Sequence, residues 1–278
     1  MWMQLLEAAG FPPIGSAFPR NWESTIKDAN PAGFYESELR GGIFYATNPH
    51  PKTGVYLFPE DTRRHAVKVF IPGLIKTDRA FIDKVIATIR PWRQYVHSLN
   101  RLYEMEREAK VQRNAPDDVP GPVVMPPLIE WWVENFSLIS DIVTRRHPFF
   151  MVAYESVLED PEKALRPVFR WIGEGNVDAA IAAVHPELRT QNEELDDPTE
   201  ISDFELEPEA VEVFDALYET VRTQSPLQQA FVDRLNETNR LLRPRIEPVV
   251  KETARAQVER RRLLQARRKA GEDAEPGS

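Results

Sequence analysis

The sequence predicts an α/β fold, a parallel sheet with crossover helices, and three observations carry that expectation. Short β-rich apolar runs recur at His65–Ile71, Asp83–Ile89 and Phe149–Tyr154. Segments of helical period lie between them, from about Trp92 to Lys110 and over 128–146. Strands this short, alternating with helices of this length, suit a parallel sheet buried on both faces. The 278 residues, 42% hydrophobic and 28% charged, suffice for one such domain with appendages.

The elements can be justified in order. Residues 1–9 read as the back half of an amphipathic helix without an N-cap, stopped by Gly10 and Pro12-Pro13. Residues 11–36, rich in Gly, Pro, Asn and aromatics, read as a surface loop. Pro72-Gly73 closes the first run, and Arg90-Pro91 follows the second. A proline-rich excursion occupies 114–127. The next helix sets Leu128, Trp131, Trp132, Phe136, Ile139 and Val143 near one face, and Pro148 ends it. Pro161 opens a further helix that runs to Ile172 before Gly173. Acids then crowd from Glu187 to Glu212, with Arg189 the lone basic residue. Residues 208–240 read as helical. The stretch 251–270 holds eight Lys/Arg against two Glu and reads as a solvated helix or frayed tail. This gives an α/β unit over 1–190, an acidic loop with packed helices over 191–250, and a charged helix with a disordered tail over 251–278.

Charge and composition narrow the function. Lys and Arg total 35 against 44 Asp and Glu, a net charge of −9, which does not suit nucleic acid or an anionic membrane. An anionic small ligand would need a local basic pocket. The chain has no cysteine, which rules out disulfides and thiolate metal sites. No histidine pair has metal-ligand spacing, so no metal is expected. His65 reads as a surface residue, His97 points about 100° away from Ser98 around its helix, and His147 and His185 precede prolines in turns. No apolar run approaches a membrane span, and the N-terminus lacks a basic leader and a cleavage site. A cytoplasmic protein is expected.

The segment richest in chemistry follows the second strand. Arg90 stands at the strand end, and Ser98 lies eight positions on in the following helix, so both sit at one edge of the sheet. Ligands of open parallel sheets bind outside the carboxyl ends of the strands. An Arg fork and a Ser hydroxyl there suit a phosphate; the plain alternative is a helix-starting Arg-Pro and a surface Ser.

This strand–Arg–helix–Ser arrangement resembles the segment by which sulfotransferases bind the 3′-phosphate of 3′-phosphoadenosine 5′-phosphosulfate. Pro91 follows Arg90 directly, where the family more often has an intervening residue. Three further segments fall in the family's order. Met1 to Gly10 resembles the helix after the phosphate loop. Asn30-Pro31-Ala32-Gly33-Phe34-Tyr35-Glu36 resembles an element of bacterial members, and Tyr154-Glu155 through Asp160-Pro161 resembles the family's strand-to-helix element. The likeness covers about residues 1–190 and implies a P-loop NTPase-like sulfotransferase fold. It implies Arg90 and Ser98 on the 3′-phosphate and Tyr154 near the nucleotide; the family's Gly-rich Arg/Lys loop is not recognisable, and Arg189, after His185-Pro186-Glu187-Leu188, is left as the candidate phosphate contact from a C-terminal loop.

Two departures accompany it. Many members carry Lys-x-His on the strand that here reads Lys68-Val69-Phe70; Lys68 keeps the Lys, and Phe70, expected to be a packing residue, replaces the basic His. Glu36 or Glu38 is left as a candidate general base. The phosphate-binding loop, typically Pro-Lys/Arg-Ser-Gly-Thr, does not occur in the sequence. Met1 falls where the residue after that loop would stand, so the loop and its central strand are expected upstream of Met1.

The resemblance implies transfer of a sulfuryl group to a hydroxyl or amine of a small-molecule or carbohydrate acceptor. The alternative is a sulfotransferase-like binding or scaffold protein that has lost the loop. A nucleotide kinase is disfavoured because neither Walker motif is present. The Trp131-Trp132 pair reads as core and lid packing before acceptor platform.

Overall fold

The computed structural model describes residues 1–18, 33–112, 123–188 and 204–272. Helix α1 (Trp2–Ala8) ends at Gly10, whose φ of +97° stops the helix as expected. Strand β1 (Pro13–Ile14) runs parallel to β2 (Ala66–Val67). Strand β3 (Val85–Ile89) runs parallel to β4 (Phe149–Ala153), in register from Val85 opposite Phe149 to Ile89 opposite Ala153. The chain is thus mixed α/β with short parallel strands. Among the described residues these strands form two separate pairs, not one continuous sheet.

Between β3 and β4 the chain makes α3 (Trp92–Gln112) and α4 (Pro127–Arg145). Arg146, in the left-handed conformation, and Pro148 then break the helix before β4. Helices α5 (Tyr154–Glu159), α6 (Pro161–Ile172) and α7 (Val177–Ala182) follow. The ends of α6 are set locally. The Asp160 carboxylate accepts the Lys163 amide at 3.0 Å, Pro161 occupies the first turn, and Gly173 takes φ +84° beyond the end.

Three expectations need correcting. The run His65–Ile71 forms a strand only at Ala66–Val67, and Ile71–Lys76 is helix α2. Pro72 opens this helix, where its missing N–H has no partner to lose. Gly73 lets the backbone of α2 approach the turn Glu38–Gly41: a Cβ on Gly73 would lie 2.6 Å from the Gly41 carbonyl carbon. Phe70, expected to pack, is 44% exposed. The helical stretch 208–240 is two elements, α8 (Pro208–Arg222) and α9 (Gln229–Glu272), parted by a turn that includes Pro226.

The basic stretch 251–270 is the continuation of α9, which is 44 residues long. Pro244 and Pro248 lie inside it, on its exposed side. The carbonyls they leave without helix partners, Arg240 and Pro244, are on residues exposed to water, so the helix continues through both prolines. The expected tail beyond 272 lies outside the described residues, as do most of the proline-rich excursion and residues 189–203.

The β3–β4 ribbon separates two cores, because successive side chains of a strand point to opposite faces. Val152 joins Leu5, Val157, Leu165 and Val168 on one side. Met151 joins Trp131, Trp132, Phe214, Leu217 and Leu235 on the other. In the second core the Phe214 ring stacks on Trp132 at 4.6 Å and on Trp131 at 5.0 Å, and meets Trp92 edge-on at 6.1 Å. Both tryptophans of the pair are therefore core, bound to α8. Among the described residues no helix is long and apolar enough to cross a membrane.

Candidate functional site

The register of β3 and β4 brings their carboxyl ends side by side. Arg90 follows Ile89 and Tyr154 follows Ala153, and those two strand residues are partners. The Arg90 guanidinium lies 4.5 Å from the Tyr154 ring centroid, and its Nη1 donates to Ser98 Oγ at 3.3 Å. Its Nε is buried and has no hydrogen-bond partner among the described residues. The Arg90 backbone is held as well: Trp131 Nε1 donates to the Arg90 carbonyl at 3.0 Å. Arg90, Ser98 and Tyr154 thus meet in one place. A cation with one hydroxyl and one aromatic face, but no carboxylate within ion-pair distance among the described residues, can receive an anion.

Lys68 and Glu36 meet elsewhere, beyond β2. Lys68 Nζ lies 3.2 Å from Glu36 Oε1 and donates to the Phe34 carbonyl at 3.2 Å, with the Phe70 ring 5.6 Å away. The other Glu36 oxygen is gripped by Arg40 Nη1. Glu36 is 8% exposed, so both its oxygens are committed to cations away from water. Helix α1 packs against β2, which Lys68 directly follows. Glu38 begins the turn Glu38–Gly41, capped by Ser37, and its side chain lies outside the described residues. Arg189 lies outside them too.

Helix α8 closes on the Arg90 end. Asp215 Oδ1 accepts from Trp92 Nε1 and from Arg93 Nη1, both at 2.8 Å. Tyr218 donates to Glu155 Oε2 at 2.9 Å. Glu155 is 6% exposed, and its Oε1 has no partner among the described residues. The charge of Glu155 adds to burial in pushing the Tyr218 hydroxyl well above its ordinary range.

A second polar cluster lies between α3 and α4. Tyr95 and Tyr103 each donate to Glu130, both at 3.3 Å. Burial pushes Glu130 up, against the pull of the two hydroxyls, and burial followed by the Glu130 charge brings Glu134 up to about 7. Elsewhere His147, in the link between α4 and β4 just before Pro148, is 2% exposed. Burial lowers it, against the attraction of Asp141, and Arg145 and Arg79 lower it further. Arg145 itself clasps Asp141 with two bonds of 2.7 Å and ties α4 to the Thr77 and Leu74 carbonyls. Among the described residues no group of three or more His, Cys, Asp or Glu could hold a metal ion.

No protein-family model, no curated protein and no solved structure matches this chain. The residues of these clusters are therefore read from geometry and chemistry alone. Sequence reasoning missed Arg40, Glu130, Glu134, Asp215 and Tyr218. Arg40 had a local signal, lying four positions after Glu36, though the turn between them was not foreseen. Asp215 and Tyr218 had none, since their partners are remote in the chain.

Proposed function

We propose that the protein transfers a sulfuryl group from 3′-phosphoadenosine 5′-phosphosulfate to a hydroxyl or amine acceptor. The observation that carries this reading is the Arg90 guanidinium, set against Ser98 and Tyr154 at the adjacent ends of two parallel strands. That is where an open sheet presents a ligand, and Arg90 and Ser98 would hold the 3′-phosphate. In the reaction the acceptor oxygen or nitrogen attacks sulfur, its proton passes to a base, and the bond from sulfur to the phosphate oxygen breaks. The desulfated nucleotide leaves with its 3′-phosphate held by Arg90 and Ser98. The base is Glu36 after release from one cation, or Glu38.

The double clamp on Glu36 favours a second reading, a nucleotide- or anion-binding protein without catalysis. Titration calorimetry with 3′-phosphoadenosine 5′-phosphate tests what both readings share: the chain binds it, and Arg90→Ala binds it at least about thirtyfold more weakly. Binding that is absent, or unchanged in Arg90→Ala, overturns the site. Glu36→Gln and Glu38→Gln then separate the two readings. Sulfuryl transfer requires one of them to lose at least about a hundredfold in turnover, and transfer by neither the wild type nor any variant leaves the binding protein.

A further inference from the structure

We propose that Asp215 and Tyr218 of α8 are positioning residues, which fix the ends of β3 and β4 and so aim Arg90 and Tyr154 at an anionic ligand. The ligand part rests on the nucleotide-binding reading above. Asp215 and Tyr218 stand three residues apart and leave α8 on one side. Each reaches a residue just beyond one of the two site residues. Asp215 holds Trp92 and Arg93, which come directly after Arg90-Pro91. Tyr218 holds Glu155, directly after Tyr154. The Arg93 guanidinium lies over the Trp92 ring at 4.2 Å, so one carboxylate fixes two side chains that already touch.

The mounting is stiff. Phe214, next to Asp215, stacks on both Trp131 and Trp132. Val213, Leu217 and Val221 of the same helix are buried. Trp131 in turn donates its indole N–H to the Arg90 carbonyl. The backbone of Arg90 is therefore bounded by α8 on two routes: through Asp215 to Trp92, and through Phe214 to Trp131. A charged group gains little affinity if it must first be ordered, so a guanidinium held from behind favours binding by reducing that cost.

The arrangement also assigns Arg93. Its charge is met by Asp215, whereas Arg90, three residues earlier, has a hydroxyl and a ring for company. Of the two arginines beside Pro91, only Arg90 has its charge available to a ligand.

The test uses the full chain and four variants: Asp215→Ala, Asp215→Asn, Tyr218→Phe and, as a control in the same core, Ile246→Val. Two signals are read. One is the dissociation constant for 3′-phosphoadenosine 5′-phosphate. The other is the hydrogen-exchange protection of the Trp131 indole N–H, which reports the Arg90 carbonyl without any ligand. Asp215→Ala is expected to weaken binding about tenfold and to expose the Trp131 proton, and Tyr218→Phe to weaken binding about threefold. Asp215→Asn, whose amide oxygen still accepts, is expected to recover most of both signals. Ile246→Val should lower the melting temperature and move neither signal. Wild-type affinity in both Asp215→Ala and Tyr218→Phe overturns the proposal. If Asp215→Ala does not fold, the affinity of Tyr218→Phe decides in the same way. If the wild type binds no nucleotide, the nucleotide reading fails by itself. The positioning of Arg90 then stands or falls on whether Asp215→Ala, unlike Ile246→Val, exposes the Trp131 proton.

Discussion

Lys68 and Arg90 both lie just beyond a short parallel strand, and they live in opposite electrostatic circumstances. Lys68 shares the buried carboxylate of Glu36 with Arg40, bonds the Phe34 carbonyl and lies near the Phe70 ring. Arg90 has a serine hydroxyl, a tyrosine face and a buried Nε without a partner. The first arrangement contributes to folding, since removing one member strands the charges of the others. The second contributes little to folding and keeps its charge for something outside the chain. Two cations in similar places along a strand thus do different work, and the distribution of carboxylates decides which does what.

Substitutions can break or sharpen this contrast. The largest effect on folding is expected from Glu36→Ala, about 2–3 kcal/mol by urea titration, since it leaves Lys68 and Arg40 facing each other. The exposure of the two cations, 33% and 39%, holds the cost below that of a fully buried pair. Arg90→Ala should reverse the pattern, with about 2–3 kcal/mol lost from nucleotide binding and under about 1 kcal/mol from stability. A large stability loss in Arg90→Ala, or none in Glu36→Ala, would erase the distinction.

The half-buried carboxylate pair on α4 gives a third case, in which Glu130 is bonded by two tyrosines instead of cations. Glu134 is raised from 4.5 to about 7, so the folded chain holds its proton more tightly than the unfolded chain does. The stability this supplies is complete below pH 4.5 and is lost as the pH rises through 7. Glu134→Gln should therefore be the more stable protein at pH 8, by about 2 kcal/mol, with the advantage fading by pH 5. His147 works in the other direction. It is lowered below 6.5, so its contribution is present above that pH and fades as the pH falls beneath it. Equal urea midpoints of wild type and Glu134→Gln at pH 8 would show that the cluster is open to water.

The smaller effects test single atoms. Ser98→Ala should weaken nucleotide binding by about 1 kcal/mol, the worth of one hydrogen bond to a charged group's neighbour. Phe70→Leu should change stability by less than about 0.5 kcal/mol, because Phe70 is 44% exposed and lies outside both cores.

Much of the fold was legible because its signals are local. Pro91, Pro148, Asp160-Pro161 and Gly173 each mark a boundary within a residue or two of its place, and they delimit β3, α3, α4, β4 and α6. Pro72-Gly73 misled because proline both closes strands and opens helices, and what decides is Gly73 meeting Gly41 from another part of the chain. The prolines of α9 look like breaks in sequence, yet the carbonyls they strand face water. At the site, Arg90 and Ser98 share a sheet edge through their spacing, whereas Tyr154 reaches them through the register of β3 and β4, which no residue pattern signals. The Arg40 clamp on Glu36 depends on the turn between them, whereas the α8 contacts of Asp215 and Tyr218 depend on tertiary packing, which no spacing encodes.

The length of α9 has a hydrodynamic consequence. At 1.5 Å per residue its 44 residues extend about 66 Å. A compact chain of 278 residues has a radius of gyration near 19 Å and a diameter of roughly 50 Å. A rod longer than the sphere it belongs to must stand out from it, so the particle should scatter and tumble as an elongated body. Small-angle scattering should give a radius of gyration above about 19 Å and a pair-distance distribution with a long shoulder, and shortening the chain at Thr253 should remove the shoulder.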